Sequence, residues 1–257
     1  MDPPSRKGGH LTVPHATATP AQPFAIREAV TRARCVVLDL DGPVARVFAG
    51  EPAADIAREM LSLAAHDGRP APGVRDTTDP IAVLHAHTAE MLRRDRDPGW
   101  RRTVDALHDR LDAYERKAAE SAEPTPGAAD FIRACHASGR GLSIATNNHA
   151  DAAVRIVERM SVRDCFDGPV VGRTGDATLM KPHPRALLEA MRPGVPAGLH
   201  LMIGDTVSDF HAARQIEMPF CGYHRHERGR QRLLDAGVPL VASEMGEFLA
   251  FVAAADR

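Results

Sequence analysis

Two aspartates one residue apart, in Asp39-Leu40-Asp41-Gly42, follow directly on the apolar run Cys35-Val36-Val37-Leu38. No other junction constrains this chain as much. A short apolar run rich in β-branched residues reads as a buried strand. Gly42 lets the backbone turn sharply out of the sheet. Both carboxylates are then presented at the carboxyl end of a strand, where open α/β sheets place their active sites. One carboxylate there can attack a phosphorus or carbon centre, and the other can move a proton. Asp-Gly is also ordinary turn chemistry, so the tetrapeptide needs support from elsewhere in the chain.

That support begins with the pattern of elements. From Thr125 onward, strands over Leu142–Thr146, Pro169–Val171, Leu199–Ile203, Pro219–Gly222 and Leu240–Val241 alternate with helices over Ala150–Met160, Pro184–Met191 and Val207–Gln215. A further helix, opened by Pro126-Gly127, runs to Ser138. Such alternation predicts an α/β fold, a doubly wound Rossmann-like parallel sheet with helices on both faces. Residues 44–123 read differently. They hold three helical stretches, Pro52–His66, Pro80–Arg94 and Trp100–Glu120, and no strand. In the last, Val104, Leu107, Leu111 and Tyr114 fall at helical spacing. The expected organisation is a Pro/Thr/Ala-rich disordered tail over 1–23, a core built from 24–43 and 124–257, and an all-helical cap over 44–123.

Composition narrows the class. Lys+Arg 32 against Asp+Glu 34 leaves no basic footprint for nucleic acid or for an anionic membrane surface. No apolar run approaches the length of a membrane span. The first residues lack the apolar core of a signal peptide. Cys35, Cys135, Cys165 and Cys221 are widely spaced, which suits reduced thiols in a cytoplasmic protein. The chain gives no choice between monomer and homodimer.

Three further signals stand at strand ends. Thr146-Asn147-Asn148 puts a hydroxyl and amides where the chain leaves the sheet. Met180-Lys181-Pro182 sets a lysine before a helix. Gly204-Asp205-Thr206-Val207-Ser208-Asp209 again presents two carboxylates, one helical turn apart. Together with Asp39 they form an oxygen-rich set suited to Mg²⁺, a hard cation.

In this order the four signals resemble the motifs of the haloacid dehalogenase-like hydrolase superfamily, over about residues 34–250. The helical block directly after the first motif is similar to that of its phosphoglycolate phosphatase and β-phosphoglucomutase branch. The resemblance implies that Asp39 is the nucleophile of an aspartyl-phosphate mechanism and Asp41 its acid and base. It implies Mg²⁺ at Asp39, the Asp41 carbonyl, Asp205 and Asp209. It implies that Thr146 and Lys181 bind the phosphoryl group, and Asn147 is expected to bind phosphate or substrate with them. Asp41 favours phosphate esters over dehalogenation, since an alkoxide leaving group needs a proton and a halide does not. Phosphonate cleavage would instead call for a small residue there and a lysine from the cap. Pro43 and the sequence Ala45-Arg46-Val47-Phe48 depart from the branch pattern, so neither named activity is carried over. Arg46 is expected to enter the pocket from the cap hinge and meet a second anionic group. A small phosphorylated metabolite is the expected substrate. A phosphosugar mutase and a catalytically silent regulatory protein are the alternatives. His85 and His87 are cap-face candidates. His149, His224, His226 and Trp100 read as capping, loop or packing residues.

Overall fold

The computed structural model describes residues 21–255. The tail expected over 1–23 lies outside the described residues up to position 20, while 21–23 already belong to the first helix. Along the chain come α1 (Ala21–Arg32), β1 (Cys35–Leu38), β2 (Ala45–Arg46), α2 (Ala53–His66), α3 (Pro80–Arg93) and α4 (Pro98–Ser121). They are followed by β3 (Glu123–Pro124), α5 (Ala128–Ala137), β4 (Gly141–Ala145), α6 (Ala150–Arg159), β5 (Val170–Val171) and α7 (Arg185–Ala190). Last come β6 (His200–Gly204), α8 (Val207–Gln215), β7 (Phe220–Tyr223), α9 (Glu227–Asp235), β8 (Val241–Ala242) and α10 (Met245–Ala255).

Six strands form one parallel sheet in the order β5-β4-β1-β6-β7-β8. Strand β1 is central because it is apolar on both faces. Val36 and Leu38 pack into a core layer with Ile26, Phe131 and Phe248, and Val37 packs on the other side with Leu187, Ala212 and Met202. Two-sided burial of this kind is what gives parallel strands continuous apolar runs instead of alternation. Leu38 is in register with Ile144 of β4 and Ile203 of β6. Asp39, Thr146 and Asp205 therefore leave the sheet close together, at the same edge.

Helices α2, α3 and α4 occupy the chain between β2 and β3 and share their own apolar cluster, with Ile56, Met60, Leu84, Leu107 and Leu111 at its centre. Ala177 and Met180, just before Lys181, belong to the same cluster. The expectation of no strand in this region fails at its ends. Ala45 pairs with Pro124 and Arg46 with Glu123 in a short antiparallel ribbon. Two-residue strands carry no periodicity to detect in sequence. Helix α4 also starts earlier than expected, at Pro98. Asp97 caps it by accepting hydrogen bonds from Gly99 (2.9 Å) and Trp100 (3.1 Å), and proline suits the first helical turn. Tyr114 lies half-buried on the flank of α4, whereas Glu115 takes the buried position. No helix among the described residues is long and apolar enough to cross a membrane.

Candidate active site

Asp39 is still held by the sheet, its N–H donating to the Ile203 carbonyl at 2.9 Å, and its side chain is buried. Lys181 Nζ donates to Asp39 Oδ1 at 2.8 Å and to the Ala145 carbonyl at 2.8 Å, and lies 2.5 Å from Asp209 Oδ1. Burial alone would lower the pKa of this lysine, but the Asp209 and Asp39 carboxylates outweigh it and raise it. Lys181 therefore stays an ammonium. Burial pushes the Asp39 carboxyl up to about 7, against the opposing pull of the Lys181 charge. Asp205 is held well above the usual carboxylate range by burial and then by the charges of Asp39 and Asp209.

Gly42 makes the turn that brings Asp41 back over this cluster. Its φ of +97° lies in the left-handed region, and a Cβ there would sit 2.6 Å from the Asp205 carboxyl carbon, so glycine is required twice over. The turn is closed by Gly42 N–H donating to the Ala45 carbonyl at 2.9 Å. Val47 N–H then donates to Asp41 Oδ1 at 2.9 Å and fixes the side chain. Burial raises the Asp41 carboxyl, partly offset by hydrogen bonds from Val47 and Gly42. A carboxyl raised in this way is suited to giving a proton to a leaving group.

Asp209 has two jobs. Its Oδ2 accepts from Thr206 N (3.0 Å) and Thr206 Oγ1 (2.7 Å), closing a capping box on α8. Its Oδ1 faces Lys181 without a well-aligned hydrogen bond. Asp39, Asp205 and Asp209 each bring a carboxylate oxygen within 4.8 Å of the other two. Lys181 pairs with two of these three carboxylates, and Asp41 adds a fourth acidic group to the same cavity. Such an excess of buried negative charge, with oxygen as every donor, fits a bound hard cation. These residues could hold a metal ion.

Thr146 is buried, its N–H donating to the Val171 carbonyl at 2.9 Å. The Asn147 amide is committed to the backbone of Lys181, donating through Nδ2 to its carbonyl (3.1 Å) and accepting through Oδ1 from its N–H (2.8 Å). Asn147 thus anchors the lysine's loop. Asp39, Asp41, Thr146, Asn147, Lys181 and Asp205 line one cavity of about 450 Å³. Arg46 stands apart from it. It ion-pairs with Glu123 across the β2–β3 ribbon and borders a separate cavity of about 160 Å³ beyond Asp41.

The remaining candidates settle into structural positions. His87 is fully buried within the helical cluster, with Ala71 N–H donating to Nε2 (3.2 Å) and Nδ1 bonded to the Val83 carbonyl (2.7 Å). Neither it nor His85 lines the site cavity. His149 caps α6 by accepting from Asp151 N–H at 3.2 Å, and His224 and His226 hydrogen-bond within their own loop. Trp100 packs, with the Arg94 guanidinium 4.9 Å from its ring centre.

Sequence reasoning missed the far wall of the cavity, formed by Phe48, Thr78, Asp79, Pro80 and Ile81 from the helical insertion, and Arg232 from α9. It also missed Glu115 and Arg173, a buried ion pair at 2.7 Å beside Thr146–His149. One signal was available for Glu115. It continues the stripe of Leu107 and Leu111 at spacing four, and a charge on an apolar stripe calls for a partner.

Residues 33–217 match the family model of haloacid dehalogenase-like hydrolases. A phosphoglycolate phosphatase of Salmonella paratyphi A is 32% identical over 122 residues, covering 47% of this chain and 47% of that protein. A phosphonoacetaldehyde hydrolase of Nitratidesulfovibrio vulgaris is 29% identical over 138 residues, covering 53% of this chain and 44% of that protein. The chain thus spans about half the length of the curated relatives it matches. Among solved structures, a predicted phosphatase from Clostridium acetobutylicum superposes with a TM-score of 0.60 at 18% identity, covering 85% of this chain and 97% of that one. A HAD phosphatase from Thermococcus onnurineus gives 0.54 at 20% identity, covering 85% and 97%. At such identities these likenesses speak for the shared fold. The family match extends over most of the sequence and takes in Asp39, Asp41, Thr146, Lys181, Asp205 and Asp209: the chain belongs to the haloacid dehalogenase-like hydrolases.

Proposed function

We propose that this protein is a Mg²⁺-dependent phosphatase that hydrolyses a small phosphorylated metabolite through an aspartyl-phosphate on Asp39. The observation that carries the reading is the convergence of Asp39, Asp41, Thr146 and Lys181 on one cavity of about 450 Å³. That volume suits a small ligand. Helices α2–α4 act as the cap over the cavity and limit the entry of bulk water.

Asp39 attacks phosphorus while the ester P–O bond breaks, and Asp41 gives its proton to the departing alkoxide. Asp41, now a carboxylate, takes a proton from water as that water attacks the phosphorus of the aspartyl-phosphate. Inorganic phosphate leaves and Asp39 is restored. Lys181 holds the phosphoryl oxygens, joined by Thr146 when its hydroxyl turns from Asn148 Oδ1 to the ligand, and preorganised charge is the main catalytic term in this kind of transfer. Asp39, Asp205, the Asp41 carbonyl and, more remotely, Asp209 would hold Mg²⁺, which would reduce the repulsion between an anionic nucleophile and an anionic phosphate.

Kinship with a phosphonoacetaldehyde hydrolase does not redirect this reading. The one lysine of the inserted helices, Lys117, is ion-paired with Glu51 at an exposed surface, and Asp41 stands where phosphonate cleavage calls for a small residue. The test is release of inorganic phosphate from a panel of phosphorylated metabolites, with Mg²⁺ and with EDTA. Metal-dependent release from a few related compounds supports the reading. Silence across the panel together with turnover of a phosphosugar only in the presence of a bisphosphate would replace it with a mutase.

A further inference from the structure

Helix α4 contributes a carboxylate that the reaction scheme leaves unused. Glu115 is fully buried, and its Oε2 accepts from the His149 N–H at 2.7 Å. Its Oε1 accepts from Asn148 Nδ2 at 3.1 Å and from Arg173 at 2.7 Å. Arg173 Nη1 also donates to the Asn147 carbonyl at 3.0 Å, and Nη2 pairs with Asp112, one turn earlier on α4. Each residue from Asn147 to His149 is thus gripped by this pair. Asn148 passes the restraint to Thr146, its N–H donating to Thr146 Oγ1 at 3.2 Å while Thr146 Oγ1 donates to Asn148 Oδ1 at 3.0 Å. Asn147 passes it to the Lys181 backbone.

Burying a carboxylate and a guanidinium carries a large desolvation cost, and an apolar pair of the same volume is often as stable or more so. Stability alone therefore gives no reason for ions here. A charged acceptor that can take several N–H donors at once does give one, because it fixes the path of an irregular loop. We propose that Glu115 is a positioning residue: from the inserted helices it holds the Thr146–His149 loop in the conformation that binds the phosphoryl group, with Arg173 as its buried counter-ion. This rests on the phosphoryl-transfer reading above. The loop that carries Thr146 is then also the one that seats α4, through Asn148 and His149.

The test compares full-length wild type with Glu115→Gln and with Glu115→Gln combined with Arg173→Met. The readouts are the dissociation constant for inorganic phosphate, the KM and kcat for p-nitrophenyl phosphate, and the melting temperature. Glu115→Gln should weaken phosphate binding and raise KM by about tenfold with a smaller change in kcat, as loss of uniform binding does. It should also melt earlier, with Arg173 left half-paired. The double variant should recover part of the lost melting temperature, because no half-paired buried cation remains although Asp112 loses its partner, yet keep the weak phosphate binding. A double variant that recovers both would show a purely structural pair and overturn the proposal, as would unchanged phosphate affinity in Glu115→Gln or absence of phosphate binding by the wild type. Wild type that binds phosphate but hydrolyses no ester would sink the phosphatase reading alone, leaving the affinity difference to judge this one.

Discussion

Replacing Lys181 by methionine would remove the single cation from the acidic cluster while keeping most of the side-chain volume. The lysine side chain is 2% exposed and stands 2.8 Å from Asp39 Oδ1 and 2.5 Å from Asp209 Oδ1. Breaking a buried ion pair by deleting one partner costs about 3–5 kcal/mol, because the other charge is left uncompensated. For a chain of this size that corresponds to a fall in melting temperature of roughly 6–20 °C. The cost must depend on pH. Asp39 already holds its proton up to about 7, and without Lys181 it would hold it to higher pH still. Between the unfolded carboxyl value near 4 and that folded value, the native state binds more protons than the unfolded one, so stability falls as pH rises. Each pH unit is worth at most about 1.4 kcal/mol per proton. The deficit of Lys181→Met should therefore be largest at pH 8 and shrink on going to pH 6. Thermal denaturation of both proteins in EDTA at these pH values measures it. A variant that melts within about 2 °C of wild type at pH 8, or whose deficit grows on acidification, would refute the reasoning.

The same cluster predicts that a divalent cation stabilises the protein. Mg²⁺ at a hundred times its dissociation constant should add about 2.7 kcal/mol, and a melting temperature indifferent to Mg²⁺ and EDTA would count against the site. Gly42→Ala should cost about 1–2 kcal/mol from the positive φ alone, and displacement of Asp205 should lower kcat about a hundredfold; calorimetry and initial rates read the two effects separately. His87 gives a second pH dependence. Burial lowers its pKa, outweighing the hydrogen bond it donates to the Val83 carbonyl, so the unfolded state binds a proton first as pH falls. Its contribution is complete above about 6.5 and is lost below it, where protonation would turn Nε2 from the acceptor of the Ala71 N–H into a donor. Asp39 works in the opposite direction over this range, so the readout is the difference: on going from pH 7.5 to pH 5.5 the urea midpoint of wild type should drop relative to that of His87→Gln.

Most of this architecture could be read from local patterns. The strand before Asp39, the helix Val207–Gln215 and the alternation after Thr125 each announce themselves through apolar runs, caps and turn residues within a few positions. Asp39, Asp41 and Asp205 stand directly after such runs, whereas Thr146 and Lys181 are weak signals locally and stand out only through the resemblance to the superfamily's motifs. What stayed hidden depends on contacts distant in sequence. Glu115 and Arg173 lie 58 positions apart, and neither is unusual until the fold joins them. The place of Arg46 at the hinge points into the pocket, and only the pairing of β2 with β3 reveals Glu123 as its partner. Asn147 looked like a phosphate ligand because it follows Thr146, but its amide matches both hydrogen-bonding groups of the Lys181 backbone. Residues 78–81, which face the site from the insertion, carry a helix-cap pattern and no mark of the cavity they line.

The central claim is a covalent phosphoryl-enzyme on Asp39, and rapid acid quench during turnover of a labelled phosphate ester tests it most directly. Label should be recovered on the peptide carrying Asp39 and be released by hydroxylamine, as an acyl phosphate is. Asp39→Asn should show no label and at least about a thousandfold slower turnover. Steady turnover with no label on that peptide, or an Asp39→Asn variant that still releases phosphate at a comparable rate, would contradict it.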